Sequence, residues 1–238
     1  MVLKEDFLKN LKAVRAQIDT SCSSCGRSPE GVSLLPVTKT WPFEVALMAF
    51  SAGFPSVGEN RVQEALEKIE QTGNAGAWEL IGHLQSNKAK FVPGKFDRVQ
   101  SVDSIKLLHR LDAAVAKAES PPLRILLQVN AGDDPAKFGV SIEDADACLD
   151  AALSASSLKV EGFMTIAPYA PEDPDVALMC FERLRDLRDD LAEKFGVPLP
   201  ELSMGMTGDM NEAIRAGSTV VRVGSALFGN RPQVHSPT

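Results

Sequence analysis

The chain's 238 residues suit one large α/β unit, and its apolar and charged fractions are those of an ordinary globular protein. A net charge of −7, carried by interleaved acidic and basic residues, argues against a nucleic-acid binder working through a basic face. No apolar run approaches the ~20 residues of a membrane span, and the charged start from Met1 to Leu11 lacks the apolar core of a signal peptide, so a cytoplasmic protein is expected.

Phe7, Leu11, Val14 and Ile18 recur at helical spacing and predict an opening helix. Cys22 and Cys25 end it with the spacing of a metal or redox pair. No second pair or neighbouring histidine completes such a site, so these two, like Cys148 and Cys180, read as structural thiols. His83, His109 and His235 are too scattered in sequence to predict a metal cluster. After a turn at 26–31, residues 33–39 form a short apolar run that reads as a buried strand. Further strands are expected at 56–58, 79–82, 98–101, 124–130, 160–166, 202–204 and 219–224, eight in all. Helices are expected at 43–52, 59–71, 86–91, 104–118, 142–155, 175–195 and 210–216, with a short turn at 225–228. The helix at 175–195 is the most periodic: Phe181, Leu184, Leu187, Leu191 and Phe195 share one face, and Pro174 stands at its start. Strands alternating with helices predict parallel units. Eight of them predict a (β/α)8 TIM-type barrel with an additional N-terminal helix, as a single domain over 1–238. A doubly wound sheet is the alternative.

In such a barrel the chemistry sits at the C-terminal ends of the strands. Lys39 ends the first one. Its plain reading is an amine reaching water along an apolar stem. Its functional reading is an amine that condenses with a carbonyl, which needs a setting that disfavours the ammonium. The turns Ser203-Met-Gly-Met-Thr-Gly-Asp209 and Gly224-Ser-Ala-Leu-Phe-Gly229 follow the last two strands. Their glycines permit close backbone approach and their N–H groups favour an anion, at the place where barrels often bind phosphate. Arg222, set in an apolar strand, needs a partner. Either a structural ion pair with a neighbouring strand or a ligand would serve, and an aromatic ring nitrogen is a suitable acceptor.

The segments Val37-Thr-Lys-Thr, Gly58-Glu-Asn60, Ile81-Gly-His-Leu-Gln-Ser-Asn-Lys88, Gly162-Phe-Met-Thr165, Ser203-Met-Gly-Met206 and 217–229 together resemble the pyridoxal phosphate homeostasis protein family, which is related to the N-terminal barrel of alanine racemase. The match runs in order from about Leu34 to Gly229. The resemblance implies a Schiff base between pyridoxal 5′-phosphate and Lys39, with Arg222 facing the pyridine nitrogen. It implies a phosphate held by Thr207, Gly224 and Ser225, and places Asn60 and Met164 close to the cofactor. His83 and Asn87 belong to a motif typical of the family and read as pocket architecture. Thr207 stands where the family usually has serine, Gly208 replaces a bulkier residue, and Asp134 stands where glutamate is usual. None of these removes the site.

The resemblance implies a monomer that acts in vitamin B6 homeostasis and supplies cofactor to apo-enzymes without turnover. A permanently charged Arg222 would disfavour ring protonation and so weaken the electron sink. The chain also ends soon after the barrel, where racemases add a second domain with a tyrosine base. Two other readings are carried: an amino-acid racemase using Lys39 with Tyr169 or His83, and a Schiff-base aldolase on a phosphosugar with no cofactor.

Overall fold

The computed structural model describes residues 2–229; Met1 and 230–238, and with them His235, lie outside the described residues. Helix α1 (Lys4–Ser24) precedes eight strand units. These are β1 (Ser33–Pro36), α2 (Phe43–Ser51), β2 (Ser56–Glu59), α3 (Val62–Thr72), β3 (Ala77–Leu80), a 3-10 segment (Ser86–Phe91), β4 (Arg98–Val102) and α4 (Ile105–Lys117), then β5 (Leu123–Gln128), α5 (Ala145–Ser154), β6 (Leu158–Met164), α6 (Pro174–Phe195), β7 (Glu201–Ser203), α7 (Met210–Ala216), β8 (Val220–Val223) and α8 (Ser225–Phe228).

All pairings between strands are parallel, in the order β1-β8-β7-β6-β5-β4-β3-β2. An isolated parallel bridge between Val37 and Gly58, with the Thr38 N–H donating to Gly58 O at 3.0 Å, brings the two ends of that order together. The sheet is thereby a barrel, and the doubly wound alternative is set aside.

The periodic residues of α1 are all buried. Phe7 stacks on Phe228 with centroids 5.4 Å apart, and Asn10 Nδ2 donates to Leu227 O at 3.1 Å, so α1 packs on the end of the last unit. Each such fully buried side chain stabilises the fold by about 1.5–3 kcal/mol. In α6, Phe181, Leu184 and Leu191 are buried while Leu187 and Phe195 are partly so, and Asp173 caps the helix by accepting from the Asp175 N–H. All four cysteines are free thiols, and burial pushes Cys148 and Cys180 up to about 11.

Several boundaries differ from expectation for local reasons. The strand expected at 33–39 ends at Pro36, with only Val37 still pairing. Lys39 therefore lies in the turn beyond it, where Thr40 adopts φ 67°. The helix expected from 59 starts at Val62, because Glu59 remains in β2. The segment at 86–91 is 3-10 rather than α.

Side chains alternate between the barrel lumen and the helical layer. Val221 and Val223 join the large outer core, whereas Val220 meets Leu35, Val37 and Ile81 in a small separate cluster. Several other inward positions are polar. Ser203 on β7 bonds Gln100 on β4 at 2.6 Å, and since these strands are not neighbours the contact crosses the lumen.

Candidate functional site

The turn carrying Lys39 is held from behind by a buried ionic cluster. Thr38 Oγ1 donates to Glu59 Oε1 at 2.6 Å, and Lys68 Nζ donates to Thr38 O at 2.9 Å. The same ammonium pairs with Glu59 at 2.7 Å and Glu64 at 2.8 Å. Glu64 in turn accepts from the Thr40 N–H at 2.6 Å. A β-branched residue at positive φ is costly, so that bond holds a strained residue immediately after Lys39. Burial pushes the Glu59 carboxyl above the usual carboxylate range, although Lys68 and Thr38 pull it back. Among the described residues its second oxygen, Oε2, has no hydrogen-bond partner.

A cavity of about 410 Å³ opens at this end of the barrel. It gathers Lys39, Asn60, Thr207, Arg222, Gly224 and Ser225, the expected site residues from the units of β1, β2, β7 and β8. Met164 is not brought in: it is fully buried in β6 and does not line the cavity. Asn87 is exposed outside it, and Tyr169 is 88% exposed and also outside.

Thr207 and Ser225 face one another with their hydroxyl oxygens 3.4 Å apart. The turn before α7 is closed by the Met206 N–H donating to Asp209 Oδ1 at 2.6 Å. At Gly224 a β-carbon would lie 3.2 Å from Val37 O, so the backbone approaches β1 more closely than a side chain comfortably allows. Two hydroxyls beside such a turn suit an anion.

Arg222 is almost completely buried. It makes no ion pair among the described residues: Nη1 donates to Ser203 Oγ at 2.8 Å and Nη2 to Thr165 O at 2.8 Å. The structural ion pair allowed by the sequence is therefore replaced by neutral acceptors. Burial lowers the guanidinium to about 10, with Asp209 opposing, so it remains a cation at neutral pH.

The far wall comes from the segment 130–139, whose Asn, Lys and Gly spacing resembles the family's but whose residues the sequence does not assign to the site. Ala136, Lys137 and Phe138, in the loop after β5, line the cavity with Gln128 and Ile166. The loop folds back through Asn130, whose side chain donates to Asp134 O at 3.0 Å and accepts from the Asp134 N–H at 3.2 Å. Gln128 Nε2 donates to Phe138 O at 3.0 Å. The Phe138 ring stacks on His83 at 3.9 Å and 9°, and His83 Nδ1 lies 2.7 Å from Asp103 Oδ2. Gln128 in an apolar strand was the available signal, of the same kind that singles out Arg222.

Among the described residues, no group of histidine, cysteine and carboxylate side chains could hold a metal. No helix of the described residues is long and apolar enough to cross a membrane. The arrangement instead combines an amine, a buried cation and a hydroxyl pair in one small cavity. That is a site for a compact molecule with an anionic end and a hydrogen-bond acceptor.

Residues 10–232 match the family model described as alanine racemase, N-terminal domain. The chain is 39% identical over 232 residues to the pyridoxal phosphate homeostasis protein of Escherichia coli, covering 95% of this chain and 97% of that one. It is 38% identical over 228 residues to the protein of the same name from Vibrio cholerae, covering 94% and 95%. The structure of PipY from Synechococcus elongatus with pyridoxal phosphate bound is similar with a TM-score of 0.82 and 32% identity, over 94% of this chain and all of that one.

Proposed function

The chain belongs to the pyridoxal phosphate homeostasis protein family, and from that premise we propose that it holds pyridoxal 5′-phosphate as a Schiff base on Lys39, for vitamin B6 homeostasis and cofactor supply to apo-enzymes rather than for turnover. The observation that carries this reading is the convergence of Lys39, Arg222 and the Thr207 and Ser225 hydroxyls on one cavity of about 410 Å³. The residues present fit the cofactor. Thr207, Gly224 and Ser225 would hold its phosphate, Arg222 its ring nitrogen, and Asn60 would lie beside it. Met164, behind the cavity wall, would contribute packing rather than contact.

Bound cofactor supplies an electrophilic carbon to the lysine and, when its ring nitrogen is protonated, an electron sink. Arg222 works against that protonation, because a fixed positive charge beside the nitrogen disfavours a second one. Tyr169 points to no role in proton transfer at this cavity, since it is exposed outside it. His83 does line the cavity and is the residue through which a racemase reading would have to work.

Borohydride reduction followed by peptide mapping tests the assignment. The expected result is a single pyridoxyl group on the Lys39 peptide, and none in Lys39→Ala. A reducible adduct that persists in Lys39→Ala would overturn it. No visible band after incubation with the cofactor would favour a Schiff base with a phosphosugar instead. Substantial α-proton exchange from L- or D-amino acids in deuterated water would replace the carrier reading with the racemase one.

A further inference from the structure

The polar half of the barrel lumen is organised in one direction. Arg222 can only donate, so Ser203 Oγ receives its N–H at 2.8 Å and must send its own proton elsewhere. It donates to Gln100 Oε1 at 2.6 Å. That fixes the amide, whose Nε2 donates to Glu79 Oε2 at 2.7 Å. Glu79, a carboxylate, can only accept, and it also takes Arg98 Nε at 2.7 Å and, on its other oxygen, Ser56 Oγ at 2.8 Å. Arg98 Nη1 then reaches Glu201 at 3.4 Å and Glu161 at 3.5 Å. The donor at one end and the acceptor at the other leave each link between them a single orientation.

All of Ser203, Gln100, Glu79, Arg98 and Arg222 are buried. Filling a lumen with polar groups is costly unless every one is satisfied, and a fully satisfied network is rigid. Directly beside it the lumen is filled with Leu35, Val37, Ile81 and Val220, so these strands tolerate apolar interior residues. A continuous polar path nevertheless runs from Arg222 to Glu79. Its negative terminus, Glu79, is separated from the guanidinium by two neutral side chains. The charge of Arg222 is thus held in place without being cancelled by a contacting carboxylate.

We propose that Ser203, Gln100 and Glu79 are positioning residues that fix the Arg222 guanidinium at the floor of the cavity through a one-way hydrogen-bond chain across the barrel. The inference deepens the cofactor reading and rests on it for its functional meaning, while the geometry of the chain stands without a ligand.

Gln100→Met is the test, because Gln100 lines no part of the cavity and methionine keeps its length while removing both links. In ligand-free protein, nitrogen-15 spectra should show separate, slowly exchanging Arg222 Nη signals, identified by their loss in Arg222→Lys. In Gln100→Met they should merge through fast rotation. With pyridoxal phosphate, the variant should still form the Lys39 adduct. Its affinity should fall about tenfold, as expected when a charged group loses its support. The pH midpoint of the visible band should move by roughly half a unit or more, because the cation is no longer fixed. Folded Gln100→Met with unchanged Arg222 signals and an unchanged midpoint would overturn the proposal. If that variant does not fold, Ser203→Ala replaces it under the same criteria, with Ser203→Thr expected to restore the wild-type signals. If the wild-type protein forms no adduct on Lys39, the cofactor reading fails, and the ligand-free spectra still decide whether the chain positions Arg222.

Discussion

Thr38 donates its hydroxyl proton to Glu59 across 2.6 Å, tying the residue before Lys39 to the residue before Asn60. Two strand ends that each contribute to the cavity are thereby fixed to each other, and Lys68 locks the joint by bonding both Thr38 O and Glu59. Lys68→Ala would leave a completely buried Glu59 without its cation. Breaking a buried pair by removing one partner typically costs about 3–5 kcal/mol. Chemical denaturation should show a loss of that size, and the turn carrying Lys39 should loosen with it, weakening cofactor binding.

The same carboxylate predicts a slope in stability with pH. Burial raises the Glu59 carboxyl above its ordinary value of 4.5, so over the window above that value the folded state keeps a proton that the unfolded chain has released. Stability therefore falls as pH rises from the unfolded value through the raised folded one. Denaturation curves collected upward in pH from the ordinary carboxylate value should show this decline, and Glu59→Gln should lack that part of the slope.

Gly82 permits a close approach that the cavity depends on. A β-carbon there would lie 2.3 Å from Asn60 O and 2.7 Å from Asn60 Cα, and both are backbone atoms. Gly82→Ala must displace the end of β2 or the loop after β3, at a cost of about 1–3 kcal/mol. Titration should show weaker cofactor binding, with a lower melting temperature. Gly208 is the contrast: it also lines the cavity, but a β-carbon there meets nothing within 4 Å. Gly208→Ala should instead stabilise the protein by about 0.4–1 kcal/mol through the unfolded chain.

The fold was legible in the sequence because each unit announces its own period, as the buried stripe of α6 and the apolar runs of β5 and β8 do. The site was legible where one residue conflicts with its surroundings. Arg222 in an apolar strand is such a conflict, and glycine-rich turns after the last two strands are another. Lys39, expected to end the strand at 33–39, instead sits in the strained turn beyond it, because the strand stops at Pro36. Met164 belongs to the matching motif but not to the cavity lining, since adjacency in sequence does not say which residues reach the open space. The Lys68 cluster and the lumen chain were not legible, because their partners lie up to 103 residues apart and meet only when the barrel closes. Phe138 was missed for a related reason: an aromatic residue in a polar loop has no periodicity to betray where the loop folds back.

That loop makes a prediction about release. Phe138 is 56% exposed, so little global stability depends on its ring. Its exposed ring nonetheless stacks on His83, which Asp103 holds in place, while Gln128 holds its backbone over the cavity. Such a stack contributes about 0.5–1.5 kcal/mol, which corresponds to roughly a 2- to 12-fold change in a rate constant. Phe138→Ala should therefore raise the rate at which pyridoxal phosphate leaves by about that factor, with the Schiff base proposed on Lys39 still forming. Stopped-flow absorbance after mixing holoprotein with an excess of a cofactor-requiring apo-enzyme measures this directly. An unchanged release rate would mean that the loop covers the cavity without governing exit.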